Sequence, residues 1–323
     1  MKNKKIYICR KIDQAGINKL DKIESIETKI NKNNLVLTRE DLIKEAEGAE
    51  AIITLLTDRV DGEVMDKIGK QLKIIANYAV GFDNIDTEAA TKRGITVTNT
   101  PEVMTQAVAE HAITLILACA RRIVEGDEYV RADKYKGWEP ELLLGPEIAG
   151  KKIGIVGLGR IGESLAKIGY HGFGMKILYH DLQKNEEIER NLQAEYTSLN
   201  TLLENSDFVS LHVPLNDATR HLIGEQQLKM MKNNAILVNT SRGAIIDEKA
   251  LIQALKEKEI FAAGLDVFES DSQPTKELYE LNNVILTPHI ASATNEARAA
   301  MSECACENVI EVLMGRKPKN PVN

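Results

Sequence analysis

One of only six histidines in the chain, His289, directly follows the apolar run NVILTP at residues 283–288. Two other chemically capable side chains occupy the same kind of place. Arg242 comes straight after AILVNTS, and Asp266 closes FAAGLD, with Glu269 and Asp271 just beyond. An imidazole titrates near neutrality and can carry a proton in either direction. A guanidinium followed by glycine is well shaped to grip a carboxylate with two parallel hydrogen bonds. A lone histidine is usually structural. Three such groups at three strand ends are harder to dismiss, because open parallel sheets bind ligands beyond the carboxyl ends of their strands.

A second constellation lies upstream. The stretch KKIGIVGLGRIGESLAKIGYHGFGMKILYHD (151–181) carries Gly157, Gly159 and Gly162 in a G-x-G-x-x-G pattern. An apolar strand precedes the glycines, an amphipathic helix follows, and a further strand ends in Asp181. That context turns a common spacing into a dinucleotide-binding unit. Gly157 permits the tight turn, Gly159 lets backbone approach a pyrophosphate, and Gly162 lets helix and sheet pack closely. The amides of Arg160 and Ile161 head a helix whose dipole favours an anion. Asp181 is placed to accept from the adenosine ribose hydroxyls. It would repel a ribose phosphate, and Leu182 and Gln183 are not basic, so NAD is expected with NADH preferred over NADPH, although Lys184 lies nearby.

These residues need a scaffold, and the chain supplies two. Short β-type runs at 4–10, 25–30, 50–56, 72–80 and 95–100 alternate with charged helical stretches. A second series starts at 151 and continues through MKILYHD, AEYTS, DFVSLHV, AILVNTS, FAAGLDV and NVILTPH. Continuous apolar strands separated by helices imply parallel sheets covered on both faces. The expected fold is therefore α/β, with two Rossmann- or flavodoxin-like doubly wound domains and a cleft between them. Long helical patterns run from about Pro101 to Ala120, where proline suits a first turn, and from about Thr294 to Met314. If the second series is a complete domain, the last helix must return to the first. The expected boundaries are 1–100 plus 290–323 for a discontinuous substrate domain and 101–289 for the NAD-binding domain.

The totals narrow the function. A chain of 323 residues with 43% apolar and 28% charged side chains is typical of two globular domains. A net charge of −7 argues against nucleic acid as a partner. The apolar stretch AITLILACA (112–120) is about half of what a membrane span needs. No signal-peptide core follows the basic opening residues. The four cysteines have neither zinc nor CxxC spacing, so no metal is expected, and a reducing cytoplasm is.

Taken together, NYAVGFDNID, the glycine pattern with Asp181, HVP, TSRGAIID, GLDVF and TPHIAS resemble the D-isomer specific 2-hydroxyacid dehydrogenases along essentially the whole chain. The blocks NTPEVMTQAVAEHA and GWEPELLLG look most like the glyoxylate/hydroxypyruvate reductase branch. The resemblance implies reduction of a small 2-oxo acid, with His289 as general acid and Arg242 on the substrate carboxylate. It also implies a carboxylate partner for the histidine. Asp271 holds that position, where most members have glutamate followed by proline, and Glu269 is a weaker stand-in. The amides of the Ala79-Val80-Gly81 turn would share the substrate carboxylate, and Leu55 would face the substrate from a strand end. Asp266 would lie near the nicotinamide carboxamide, Thr240 and Ser241 beside its ribose, His212 and Pro214 along the cofactor, and Thr105 near the phosphates. Trp138 lies in the 120–145 arm that the family extends toward a second subunit, so a homodimer is expected. The nearest alternatives are D-3-phosphoglycerate dehydrogenase and D-lactate dehydrogenase. From another class, an NAD-sensing corepressor shares the architecture but need not keep Arg242 and His289 together.

Overall fold

The computed structural model of the chain describes residues 3–270 and 273–323. It divides into two compact units, Met1–Met104 with Ala293–Asn323, and Thr105–Ser292. Each unit is a doubly wound α/β layer structure, as the alternation of strands and helices implies.

The first unit begins β1 (Lys4–Ile8), α1 (Gln14–Asp21), β2 (Ile26–Ile30), α2 (Arg39–Ala46), β3 (Ala51–Thr54) and α3 (Gly62–Ile68). It continues with β4 (Ile74–Asn77), α4 (Thr87–Lys92) and β5 (Thr96–Thr98). Its strands are all parallel in the order β2-β1-β3-β4-β5. Every residue of β3 and β4 is buried. This is why these strands read as unbroken apolar runs and not as alternating ones.

The second unit opens with two consecutive helices, α5 (Thr105–Ala120) and α6 (Ile123–Arg131). It then alternates β6 (Lys152–Val156), α7 (Arg160–Phe173), β7 (Lys176–His180), α8 (Glu186–Leu192), β8 (Glu195–Tyr196), α9 (Leu199–Asn205) and β9 (Phe208–Leu211). It closes with α10 (Glu225–Met230), β10 (Ile236–Asn239), α11 (Glu248–Lys256), β11 (Ala262–Leu265) and β12 (Val284–Leu286). The seven parallel strands run β12-β11-β10-β9-β6-β7-β8. The order reverses between β6 and β9, so the loops after these two strands diverge and open a crevice at the sheet edge. One face is covered by α5 and α7, with Leu115, Ile116, Leu165 and Ala166 in the core. The other is covered by α9, α10 and α11, with Leu202, Leu228 and Leu251.

Two expectations need correction. The helix anticipated from Pro101 starts at Thr105 instead. Glu102 takes a left-handed backbone with φ 72°, and the Val103 amide donates to the Pro101 carbonyl, so the proline closes a turn and cannot begin the helix. The strand before His289 is also not deeply buried. As the outermost strand of its sheet, β12 keeps all three residues partly exposed.

The final helix, α12 (Asn295–Leu313), returns to the first unit and lies against α1. Thr294 caps it by accepting from the Ala297 amide. Met301, Ala305, Cys306 and Val309 complete the core over Ile6, Ile8, Ile53 and Ile74. The two helices touch at Gly16, where a Cβ would stand 2.3 Å from the Ser302 carbonyl oxygen. Gly16→Ala should therefore push α12 off α1 and destabilise the first unit by about 1–3 kcal/mol. Chemical denaturation measures this directly, and an unchanged midpoint would refute the packing argument.

Candidate functional site

The glycine loop after β6 is built by close backbone contacts. Gly157 has φ 93°, and a Cβ on it would lie 2.8 Å from the His212 backbone. A Cβ on Gly162 would lie 2.2 Å from the Gly157 carbonyl oxygen. Gly159 differs from both: nothing lies within 4 Å of where its Cβ would be. It is also the N-cap of the 14-residue helix α7 and offers no side-chain cap. The amides of Arg160 and Ile161 thus head a helix beside open space that a side chain at 159 would fill. That arrangement suits a diphosphate. The residues present fit the pyrophosphate of a dinucleotide.

Asp181 ties the same loop down. Its Oδ2 accepts from the Leu158 amide at 2.7 Å and its Oδ1 from the Leu182 amide at 2.6 Å. Each oxygen keeps a further lone pair for a ribose hydroxyl. Lys184 Nζ sits 5.4 Å from the centre of the Tyr196 ring. Leu182 is 96% exposed.

Across the switch point, the loop after β9 carries His212 and Pro214. The His212 ring bonds Ser210 Oγ at 2.9 Å, and its desolvation pulls the pKa down to about 4, so it is neutral at ordinary pH. Pro214 is exposed. The Ser241 hydroxyl donates to the Val213 carbonyl at 3.1 Å, so it positions this loop from the next strand. Thr240 is nearly buried, and its Oγ1 has no partner among the described residues. Thr105 is the first residue of α5, and its neighbour Gln106 accepts from Ser164 of α7 at 3.0 Å. The two helix starts therefore lie side by side.

Arg242 leaves β10 on a turn whose cause is not visible in the sequence. Asn239 is fully buried at the strand end. Its Oδ1 accepts from the Ser241 amide at 3.0 Å and its Nδ2 donates to the Arg242 carbonyl at 2.8 Å. Gly243 then packs so closely on the Phe268 backbone that a Cβ would overlap it at 1.8 Å. The half-buried Arg242 side chain donates from Nη1 to the Ser241 carbonyl.

The first unit repeats this device. Asn77 ends β4 fully buried, accepts from Thr54 Oγ1 at 3.0 Å and donates to the Gly81 carbonyl at 2.8 Å. The carbonyls of Ala79 and Val80 accept from the Thr100 amide and Asn99 Nδ2. All three carbonyls of the Ala79-Val80-Gly81 turn are thus engaged. Asn84 binds the Leu55 and Asp58 carbonyls, holding the half-buried Leu55 in its own turn.

His289 is exposed, and its φ of 54° is left-handed. What holds it there is Asp266, which has no accessible surface. Asp266 Oδ1 accepts from Thr287 Oγ1 at 2.6 Å and the Ile290 amide at 2.8 Å, and Oδ2 from the Ala291 amide at 2.8 Å. The Asp266 carbonyl accepts from the His289 amide. Burial alone would raise this carboxyl's pKa, but hydrogen bonds from His111, Thr287 and the two amides outweigh it and hold it below the ordinary value. Asp266 thus anchors the loop that carries His289.

Asp271 lies outside the described residues. Glu269 is engaged elsewhere, accepting from His221 Nε2 at 2.7 Å. Glu248, buried and unremarked in sequence, accepts from the Glu269 and Thr275 amides. Among the described residues, no group of histidine, cysteine and carboxylate side chains could hold a metal ion.

Comparison with known proteins points the same way. The family model of the D-isomer specific 2-hydroxyacid dehydrogenase NAD-binding domain matches residues 113–291. The chain is 51% identical to a glyoxylate reductase of Thermococcus litoralis over 99% of its own length and 96% of the relative's. It superimposes on the TT0316 protein of Thermus thermophilus with a TM-score of 0.93 at 43% identity, covering 99% and 100% of the two chains. An NADPH-dependent glyoxylate/hydroxypyruvate reductase from Sinorhizobium meliloti, crystallised with NADP and malonate, is 30% identical with a TM-score of 0.86, covering 99% and 97%.

Replacing the Asp266 carboxylate tests its anchoring role. Asp266→Asn keeps one acceptor oxygen but turns an amide N–H₂ toward backbone donors, at a cost of about 1–3 kcal/mol. Because the folded pKa is depressed, the carboxylate's contribution is present above the ordinary 3.8 and is lost as pH falls through the lower folded value. Denaturation midpoints of parent and variant should thus differ at neutral pH and converge in acid. A constant difference would contradict this account.

Proposed function

We propose that this chain, which belongs to the D-isomer specific 2-hydroxyacid dehydrogenases, reduces glyoxylate and hydroxypyruvate to the corresponding 2-hydroxy acids with NADH. Its class as an oxidoreductase follows from the family; the substrate and cofactor preference are our reading. When bound, the nicotinamide supplies the hydride. The chain's own residues supply the proton and the grip on the acid. His289, as imidazolium, donates to the keto oxygen, and as neutral imidazole takes the proton back in the reverse direction. General acid catalysis of this kind contributes about 100- to 10,000-fold. Arg242 holds the substrate carboxylate; in the first unit the amides of the Ala79-Val80-Gly81 turn are a further candidate group for binding an anion. Leu55 would face the substrate, and Asp271 would partner His289.

One observation carries the reading: an exposed imidazole is fixed by a wholly buried carboxylate in the same unit as a diphosphate-receptive helix. A histidine serving only the fold needs no such presentation. The substrate choice is supported by the glyoxylate reductase names of close relatives. The preference for NADH is supported by Asp181 and by the absence of a base at Leu182 and Gln183. A cytoplasmic location is supported by four free cysteines.

Steady-state assays with glyoxylate, hydroxypyruvate, pyruvate and phosphohydroxypyruvate test this directly. The first two should give the highest kcat/KM, with NADH used in preference to NADPH. His289→Asn, chosen because asparagine tolerates the left-handed backbone, should lower kcat by about 100-fold or more while NADH still binds. Normal turnover in that variant would end the assignment.

We also read the chain as a homodimer. In the second unit Ile123, Val130, Tyr135 and Leu144 are all more than half exposed, and Trp138 is 82% exposed. Apolar groups clustered in one arm mark an interface. Light scattering should give twice the 35.8 kDa chain mass, and a monomer at micromolar concentration would refute it.

A further inference from the structure

The loop that presents His289 has an anchor on a helix far away in sequence. His111 lies on α5 with its side chain 16% exposed, and its Nε2 stands 3.1 Å from Thr287 Oγ1 and 3.4 Å from Asp266 Oδ1. Proton accounting settles how it bonds. Thr287 has one hydroxyl proton, and the 2.6 Å contact directs it to the Asp266 carboxylate. Toward α5 the hydroxyl oxygen can then only accept. His111 must donate, so its proton is on Nε2.

We propose that His111 is a positioning residue for His289. Its N–H completes a closed set of donors around Asp266 and Thr287, and that set fixes the backbone on both sides of residue 289. Thr287 precedes His289, and Ile290 and Ala291 follow it, each bonded to one carboxylate. The Asp266 carbonyl takes the His289 amide as well. A histidine held at φ 54° depends on its neighbours for this geometry. Without the His111 donor, the Thr287 hydroxyl loses its tether to α5, its own hold on the Asp266 carboxylate slackens, and the imidazole shifts from its productive place. A misplacement on the order of 1 Å costs about 100-fold in rate.

The inference rests on His289 being the proton donor, so the test separates the two claims. His111→Phe keeps an apolar body without the donor, whereas His111→Gln restores an N–H at similar reach. His111→Phe should lower glyoxylate kcat by about 10- to 100-fold with the KM for NADH within about twofold. His111→Gln should recover most of that loss. Amide hydrogen exchange at Ile290 and Ala291 should quicken in the phenylalanine variant and not in the glutamine one. In a His289→Asn background, His111→Phe should have almost no further effect, because a residue acting through another falls silent when that one is gone. Full turnover in His111→Phe, or an undiminished effect in the double variant, would overturn the proposal. Parental turnover in His289→Asn alone would overturn the assignment of His289, and this role with it.

Discussion

A carboxylate withdrawn from water costs several kcal/mol unless donors replace the water, and at Asp266 every replacement comes from the loop it supports or the helix behind it. The residue directly follows β11 and has no accessible surface. The chain answers with one hydroxyl, two amides and an imidazole. Satisfying the charge dictates the path of residues 287–291, and that path carries an exposed histidine. Electrostatic necessity and chemical presentation are here one arrangement.

A second constraint recurs in both units. A fully buried asparagine ends a central strand and folds the following turn by its own amide: Asn77 does this before Gly81, and Asn239 before Arg242. Both turns are anion-facing in our reading. A strand end is rigid because its ladder is complete, and a side-chain amide extends that rigidity by two to four residues. Glycines do the complementary work. At Gly157 and Gly243 two backbones approach more closely than any Cβ allows, so neighbouring loops locate one another without intervening side chains.

Much of this was legible in the sequence, and what was not has a common cause. The strands could be read because sheets buried on both faces leave continuous apolar runs. The glycine loop could be read because its demands are local, spanning one turn and one helix start. His111, Asn239 and Glu248 could not, because their partners are backbone groups or side chains that only the fold brings near; His111 and Thr287 are separated by 176 positions. Pro101 was misread for a different reason. Proline suits a helix start, but here the left-handed Glu102 makes a turn, and nothing in the local composition announces that conformation. Asp266 was legible by its position at a strand end, but the loop contacts its carboxylate makes were not, because their donors lie more than 20 positions away.

The insertion of one unit within the other bears on how the protein is made. As the chain leaves the ribosome, β1 to β5 appear first, but the face formed by Ile6, Ile8, Ile53 and Ile74 waits for Met301, Ala305 and Val309 to cover it. The intervening Thr105–Ser292 unit is continuous and can close while synthesis is still under way. Until α12 emerges only α1, through Ile17 and Leu20, packs on that face, so part of an oily surface stays open through most of translation. The last helix serves as a late-arriving lid, and a ribosome stalled before residue 293 would release a chain prone to aggregate.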